Sequence, residues 1–157
     1  MKPESPVPIH STDEFGRHVF RPHGNWRFWA EGDVIYSVAC GPFNVEFVQA
    51  LAAALKDIWA SNAFTRKPGH LVQIERSIMA SPEMLAAYRT VHERLPPGRG
   101  AAAVAFVVAP EVEGREFMLP LFQKIYDDLG RNFRVFETLP EAEAWVQSHL
   151  VERSSPA

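Results

Sequence analysis

Two serines, Ser77 and Ser81, flank a short apolar stretch in "IERSIMASPEML", with Arg76 before the first and Glu83 after the second. A serine where a strand gives way to a helix can accept a phosphate, attack a carbonyl, or cap the helix. Ser81, Pro82 and Glu83 match the last role directly: serine at N-cap, proline at N1 and an acid in the first turn start a helix in order. A nucleophile elbow needs glycines on either side of its serine so that the backbone can turn sharply, and "MASPE" has neither. A helix N-terminus also favours an anion through its free amides and dipole, although the Glu83 carboxylate already sits in that potential. Arg76, Ser77, Ser81 and Glu83 are therefore the expected binding residues, for a protein partner or an anionic group.

Other chemistry is sparser. In "CGPFN" the residues Gly41, Pro42 and Asn44 carry turn and cap chemistry, and Phe43 can wall a pocket. One glycine and no lysine do not make a phosphate-cradling loop. The six histidines are scattered, with no pair at the i, i+4 spacing of a zinc enzyme, so neither a metal site nor a cofactor is expected. Cys40 closes an apolar strand and reads as a structural thiol. Glu111, Glu113 and Glu116 read as a solvated loop and helix start. Trp26 and Trp29 fall on opposite sides of one strand. The segment "REFMLPLF" supplies Phe117, Leu121 and Phe122 for an apolar pocket or a homodimer interface.

The elements that must position these residues follow from punctuation and periodicity. Residues 18–23 read as a short edge strand, and "NWRFWAEGDVIYSVAC" as two strands joined at a Gly-Asp turn. Asn44 can cap a helix over residues 45–62, where Val48, Leu51, Leu55, Ile58 and Trp59 recur at helical spacing. "HLVQIE" is a strand, Ser81 opens a second helix that ends by residue 95, and "AAAVAFVVA" is a central strand covered on both faces. A third helix spans residues 114–129, with Pro120 implying a kink or a start nearer Leu119. "NFRVFE" is the last strand, and Thr138 with Glu141 forms a capping box for a closing helix. Alternation of this kind implies an α/β fold with a mixed β-sheet of about six strands and about four helices.

With 157 residues, 46% of them hydrophobic, the chain has the length and composition of a single globular domain. Residues 1–14 read as a disordered tail, 15–150 as one domain and 151–157 as a frayed end. A net charge of −3 argues against a nucleic-acid binder acting through bulk positive charge. No apolar run reaches membrane-spanning length and the N-terminus lacks a signal-peptide core, so a cytoplasmic protein is expected.

Within this order, "GPFN" leading into a long helix, the middle strand with its short loop, and the closing "FRVFETLPEAEAWV" resemble the SpoIIAA-like branch of the STAS fold, also described as STAS/SEC14-like. The resemblance covers residues 15–150. It implies a non-enzymatic regulatory or protein-binding module. STAS domains of the anti-sigma-factor antagonist type bind a partner kinase at the start of the helix after a central strand, where a serine in an Asp-Ser-Ser-Gly setting is phosphorylated. "MASPE" takes that place here, with Ser81 at the serine, Ala80 at the aspartate, and Pro82 and Glu83 at the second serine and the glycine. The Sec14-like side of the resemblance implies instead a carrier or sensor of a small apolar or lipid-like ligand. Its pocket would lie between the third helix and the sheet, lined by Phe43, Phe117, Leu121 and Phe122.

Overall fold

The computed structural model describes residues 9–12, 23–61, 64, 66–95 and 100–154. In chain order the elements are β1 (His10–Ser11), β2 (Asn25–Glu31), β3 (Val34–Cys40), α1 (Val45–Ser61), β4 (Gly69–Glu75), α2 (Pro82–Glu93), β5 (Ala103–Val108), α3 (Arg115–Asp128), β6 (Phe133–Phe136) and α4 (Leu139–Ser154). The six strands form one mixed sheet in sequence order. β1 and β2 pair with their successors antiparallel, and the pairs from β3 to β6 are parallel. The fold is thus α/β, and its element order is the one that the resemblance to STAS domains implies.

Chain direction explains the layering. The β2–β3 hairpin closes through Gly32 and Asp33, and Gly32 supplies the positive φ (+58°) that the turn needs. Each later crossover steps one strand further in the same direction. Right-handed crossovers that all step one way must place their helices on one face of the sheet. α1, α2 and α3 accordingly share a face, and bury Phe47, Met84 and Phe122 against Trp26, Ile35, Val72 and Phe106. α4 leads to no further strand in the sheet, so the rule does not bind it. It covers the opposite face, packing Ala142, Val146 and Leu150 on Val34, Leu71, Ala105 and Val107. Between the two layers every residue of β5 is buried, as its unbroken apolar run requires. Gly69 permits the close approach of α4, because a Cβ there would run into the Val146 side chain.

Three local features differ from the sequence-based expectation or refine it. His10 and Ser11, inside the expected tail, pair with Phe28 and Arg27 as an edge strand too short to show a period. The strand expected over residues 18–23 lies outside the described residues except for His23, which is not in a strand. α3 begins at Arg115 and runs through Pro120 rather than starting near Leu119. Pro120 is solvent-exposed, so the one helical hydrogen bond it removes frees a carbonyl near water.

Candidate functional site

β3, β4 and β5 are parallel and end on the same side of the sheet, and the loops that leave them stay bonded to one another. Gly41 N donates to Ser77 O (3.1 Å) and Phe43 N to Met79 O (2.8 Å). From the other side Ile78 N donates to Glu113 O (2.9 Å), and Glu113 N to Arg76 O (3.0 Å). Loop 76–80 is therefore an irregular continuation of β4, gripped along both edges. It opens with a bond from Ser77 N to Glu75 O (2.8 Å) that spans Arg76, whose φ is +65°. That is a γ-turn of the rare positive-φ kind, and Arg76 adopts it at a cost in strain.

The two serines in this loop do different work. Ser77 is 4% exposed; its hydroxyl donates to Glu113 Oε1 (3.0 Å) and accepts from Met79 N (3.1 Å). It latches the loop to the segment before α3. Ser81 is the N-cap of α2, its Oγ accepting from Met84 N at 3.1 Å, with Pro82 at N1 and Glu83 exposed in the first turn. Replacing Ser81 by alanine is expected to lower stability by about 1 kcal/mol. Urea denaturation would measure it, and an unchanged midpoint would mean that the cap contributes nothing.

Among the described residues the exposed large apolar side chains are Ile9, Met79 (37%), Phe117 (79%) and Leu121 (45%). Phe117 and Leu121 thus face outward, whereas Phe43 and Phe122 face the interior. The reason is angular: Met118, Phe122, Ile125 and Tyr126 form the buried stripe of α3, and Phe117 and Leu121 lie one residue off it. Phe117 and Leu121 share a helix face by their i, i+4 spacing. Met79 lies beside the start of α3, since a Cβ on Gly114 would meet its sulfur. Phe117 and Leu121 thus make an apolar patch on α3, with Met79 exposed beside the start of that helix. The exposed acids Glu83, Glu113 and Glu116 and the cation Arg76 stand on the elements that carry it.

A second feature lies inside. A cavity of about 80 Å³ separates the sheet from α1, α2 and α3, walled by Trp26, Phe43, Phe47, Leu51, Phe106 and Phe122. Polar side chains also reach it: His70 from β4, Tyr88 and His92 from α2, Tyr126 from α3, and Arg131. The nitrogen Nε2 of His70 lies 2.8 Å from Ser37 Oγ, and the hydroxyls of Tyr88 and Tyr126 share a bond of 2.6 Å. Nε2 of His92 is buried without a hydrogen-bond partner among the described residues. Arg131 Nη2 donates to the His92 carbonyl (3.0 Å), and among the described residues no carboxylate pairs with that guanidinium.

Burial sets the charge states of these groups. It lowers the pKa of His70 from 6.5 to about 4. His92 falls to about 3, first through burial and then through the nearby positive charges of Arg131 and His70. Both imidazoles are neutral at pH 7. Burial also raises Tyr88 to about 12, despite its bond to Tyr126. Among the described residues no three His, Cys, Asp or Glu side chains converge as metal ligands would. No metal-ligand spacing marks this cluster in the sequence. A weaker signal was there: His70 alternates with Val72 and Ile74 on the buried face of β4, and His92 follows Met84 and Tyr88 at four-residue steps on α2.

No protein-family model matches the chain, and no curated protein does. Among solved structures, the chain is similar to the crystal structure of an anti-sigma factor antagonist from Mycobacterium paratuberculosis. Sequence identity is 17%, 76% of this chain and 91% of that chain are covered, and the TM-score is 0.47.

Proposed function

We propose that the protein is a non-enzymatic regulatory module that binds a protein partner through loop 76–80, the start of α2 and the first turns of α3. The observation that carries this reading is the joint exposure of Met79, Phe117 and Leu121 at the end of the sheet. Exposed apolar clusters with polar rims mark interaction surfaces, and a large aromatic at the centre is the usual anchor. Phe117 has the size and exposure for that anchor. Glu83, Glu113 and Glu116 outnumber Arg76 around the patch, which favours a partner face where lysine or arginine flanks an apolar pocket. The γ-turn at Arg76 supports the same reading, because strained backbone in an exposed, firmly held loop is commoner at binding sites than elsewhere. Both serines act within this surface as a latch and a cap.

Affinity capture with the full chain as bait tests the proposal. Phe117→Asp and Leu121→Asp should each weaken retention of a specific partner by roughly a hundredfold, since a buried charge replaces the anchor. Their folding stability should stay within about 0.5 kcal/mol of the parent, because both positions are exposed. Gln147→Asp, on the exposed side of α4, should retain the partner fully. A partner held equally well by all four proteins binds somewhere else, and the reading is then wrong.

A further inference from the structure

β6 ends the sheet, and among the described residues it pairs with β5 on one side and with no strand on the other. In a parallel ladder alternate residues turn their backbone groups towards the neighbouring strand. Val104 N donates to Asn132 O at 2.9 Å, so Asn132, Arg134 and Phe136 face β5. Phe133 and Val135 therefore turn their N–H and C=O to the open edge. A bare edge is a template for another strand, and proteins protect such edges by keeping them short and charged. β6 has four residues and carries the exposed Arg134, so only a strand that accommodates this cation fits.

The side chains beside the edge fit a second copy of the same chain. Arg134 and Phe136 project on the α4 side, where the guanidinium lies 5.3 Å from the Phe136 ring and that ring 5.7 Å from Trp145. Trp145 thus marks the flank of α4 that faces β6, and the exposed Glu141 stands one turn earlier on it. Among the described residues neither Arg134 nor Glu141 has an ion-pair partner. The two stand at different heights. Arg134 is near the start of β6 and Glu141 lies past its end, because α4 begins after β6 and runs back along it. His149 Nδ1, further along α4, is accordingly 3.5 Å from Asn132 Nδ2. Turning a second copy through 180° about an axis normal to the sheet exchanges these heights, which brings each Arg134 towards the Glu141 of the other copy.

We propose that the open edge of β6 is the interface of a homodimer, in which two copies pair antiparallel about a twofold axis at Val135 and join their sheets into one. Centred there, the two Val135 residues exchange a pair of backbone hydrogen bonds, and Arg134 lies opposite Phe136 of the second copy, a cation beside an aromatic ring. An axis at Arg134 would set two guanidinium groups opposite each other, which is unfavourable, and would leave no outward N–H on the axis. The interface uses nothing of the patch at Phe117, so the two readings stand or fall separately.

Sedimentation equilibrium of the full chain tests this directly. Interfaces as small as one short strand pair are weak, so the mass should rise towards that of a dimer between roughly 0.01 and 1 mM. Val135→Pro removes the outward N–H but none of the bonds to β5, and should abolish association without unfolding the chain. Arg134→Glu and Glu141→Arg should each weaken association about tenfold, because like charges then meet across the axis. Mixed together, these two variants should recover a dimer close to the parent in affinity, since both contacts between unlike chains again join a cation to an acid. An ion pair within one chain would show no such rescue. Phe117→Asp should leave self-association unchanged. If Val135→Pro does not fold, the mixed charge variants still decide. A chain that stays monomeric at about 1 mM overturns the proposal and leaves the edge to solvent or to a strand of another protein. A dimer that persists in Val135→Pro, or charge variants that fail to rescue each other, overturn it equally.

Discussion

Acidification from about pH 7 to about pH 4 is expected to remove on the order of 6 kcal/mol of stability, about 3 kcal/mol for each of two histidines. Such a loss rivals the whole stability of an ordinary domain. His70 and His92 titrate near 6.5 in the unfolded chain, but burial lowers them in the folded protein to about 4 and about 3. The unfolded state therefore takes up more protons as the pH falls below about 6.5. Stability is fully present above that value and is lost as the pH drops through it towards the folded-state values. For His92 the cost is sharpened by Arg131 and His70, both of which repel a proton arriving at its ring. Urea unfolding followed at several pH values between 4 and 8 would show it. His92→Phe should be about 3 kcal/mol more stable than the parent relative to their difference at pH 7 once both are at pH 4. A stability that stays flat between pH 7.5 and 4.5 would mean that the two rings are hydrated and not buried.

Replacing Gly41 by alanine should cost about 2–3 kcal/mol, towards the upper range of overpacking effects. It should also weaken partner binding. The backbone N–H of Gly41 donates to Ser77 O at 3.1 Å. A Cβ at this position would run into that same carbonyl and lie 2.9 Å from the Phe43 ring. A crowded side chain can rotate away, but a carbonyl bonded into a loop cannot. The loop must shift, and with it Arg76 and Met79. Two signatures separate this effect from simple destabilisation: a lowered urea midpoint, and faster hydrogen exchange at the amides of Phe43 and Ile78, which bond to and from the loop. Phe117→Asp, by contrast, should reduce binding alone. An alanine accommodated within about 0.5 kcal/mol would show that the two loops are not clamped as described.

Much of the architecture was legible in the sequence because it rests on local chemistry. Asn44 accepts from Phe47 N at 3.0 Å and so starts α1 where its cap chemistry predicts, and Ser81 does the same for α2. The unbroken apolar run at 103–108 is a strand buried on both faces. The turn at Gly32 closes the hairpin through the backbone freedom of a single residue. Trp26 and Trp29 part to opposite faces by strand alternation alone. Trp26 is 2% exposed and stacks on Phe28, whereas Trp29 stacks on Tyr36.

The sites were harder to read, and the reason is rotational. Phe117 and Leu121 sit beside Met118 and Phe122 in the sequence, so composition assigns all four to one apolar region. A turn of about 100° per residue then decides which of them meet the sheet and which meet solvent. The histidines show the same limit. No spacing rule joins His70 on a strand to His92 on the next helix, because their proximity depends on how α2 lies across β4. The sequence by itself determined the order of elements, their caps and turns, and the inward faces of the strands, since each of these depends on residues within a few positions of one another. Only the tertiary structure decided that Met79 lies against Gly114 at the start of α3, that Ser77 is a buried latch, and that a neutral histidine, two tyrosines and an arginine line one apolar cavity. Those contacts join segments far apart in the chain, and the packing of helices on the sheet sets their distances.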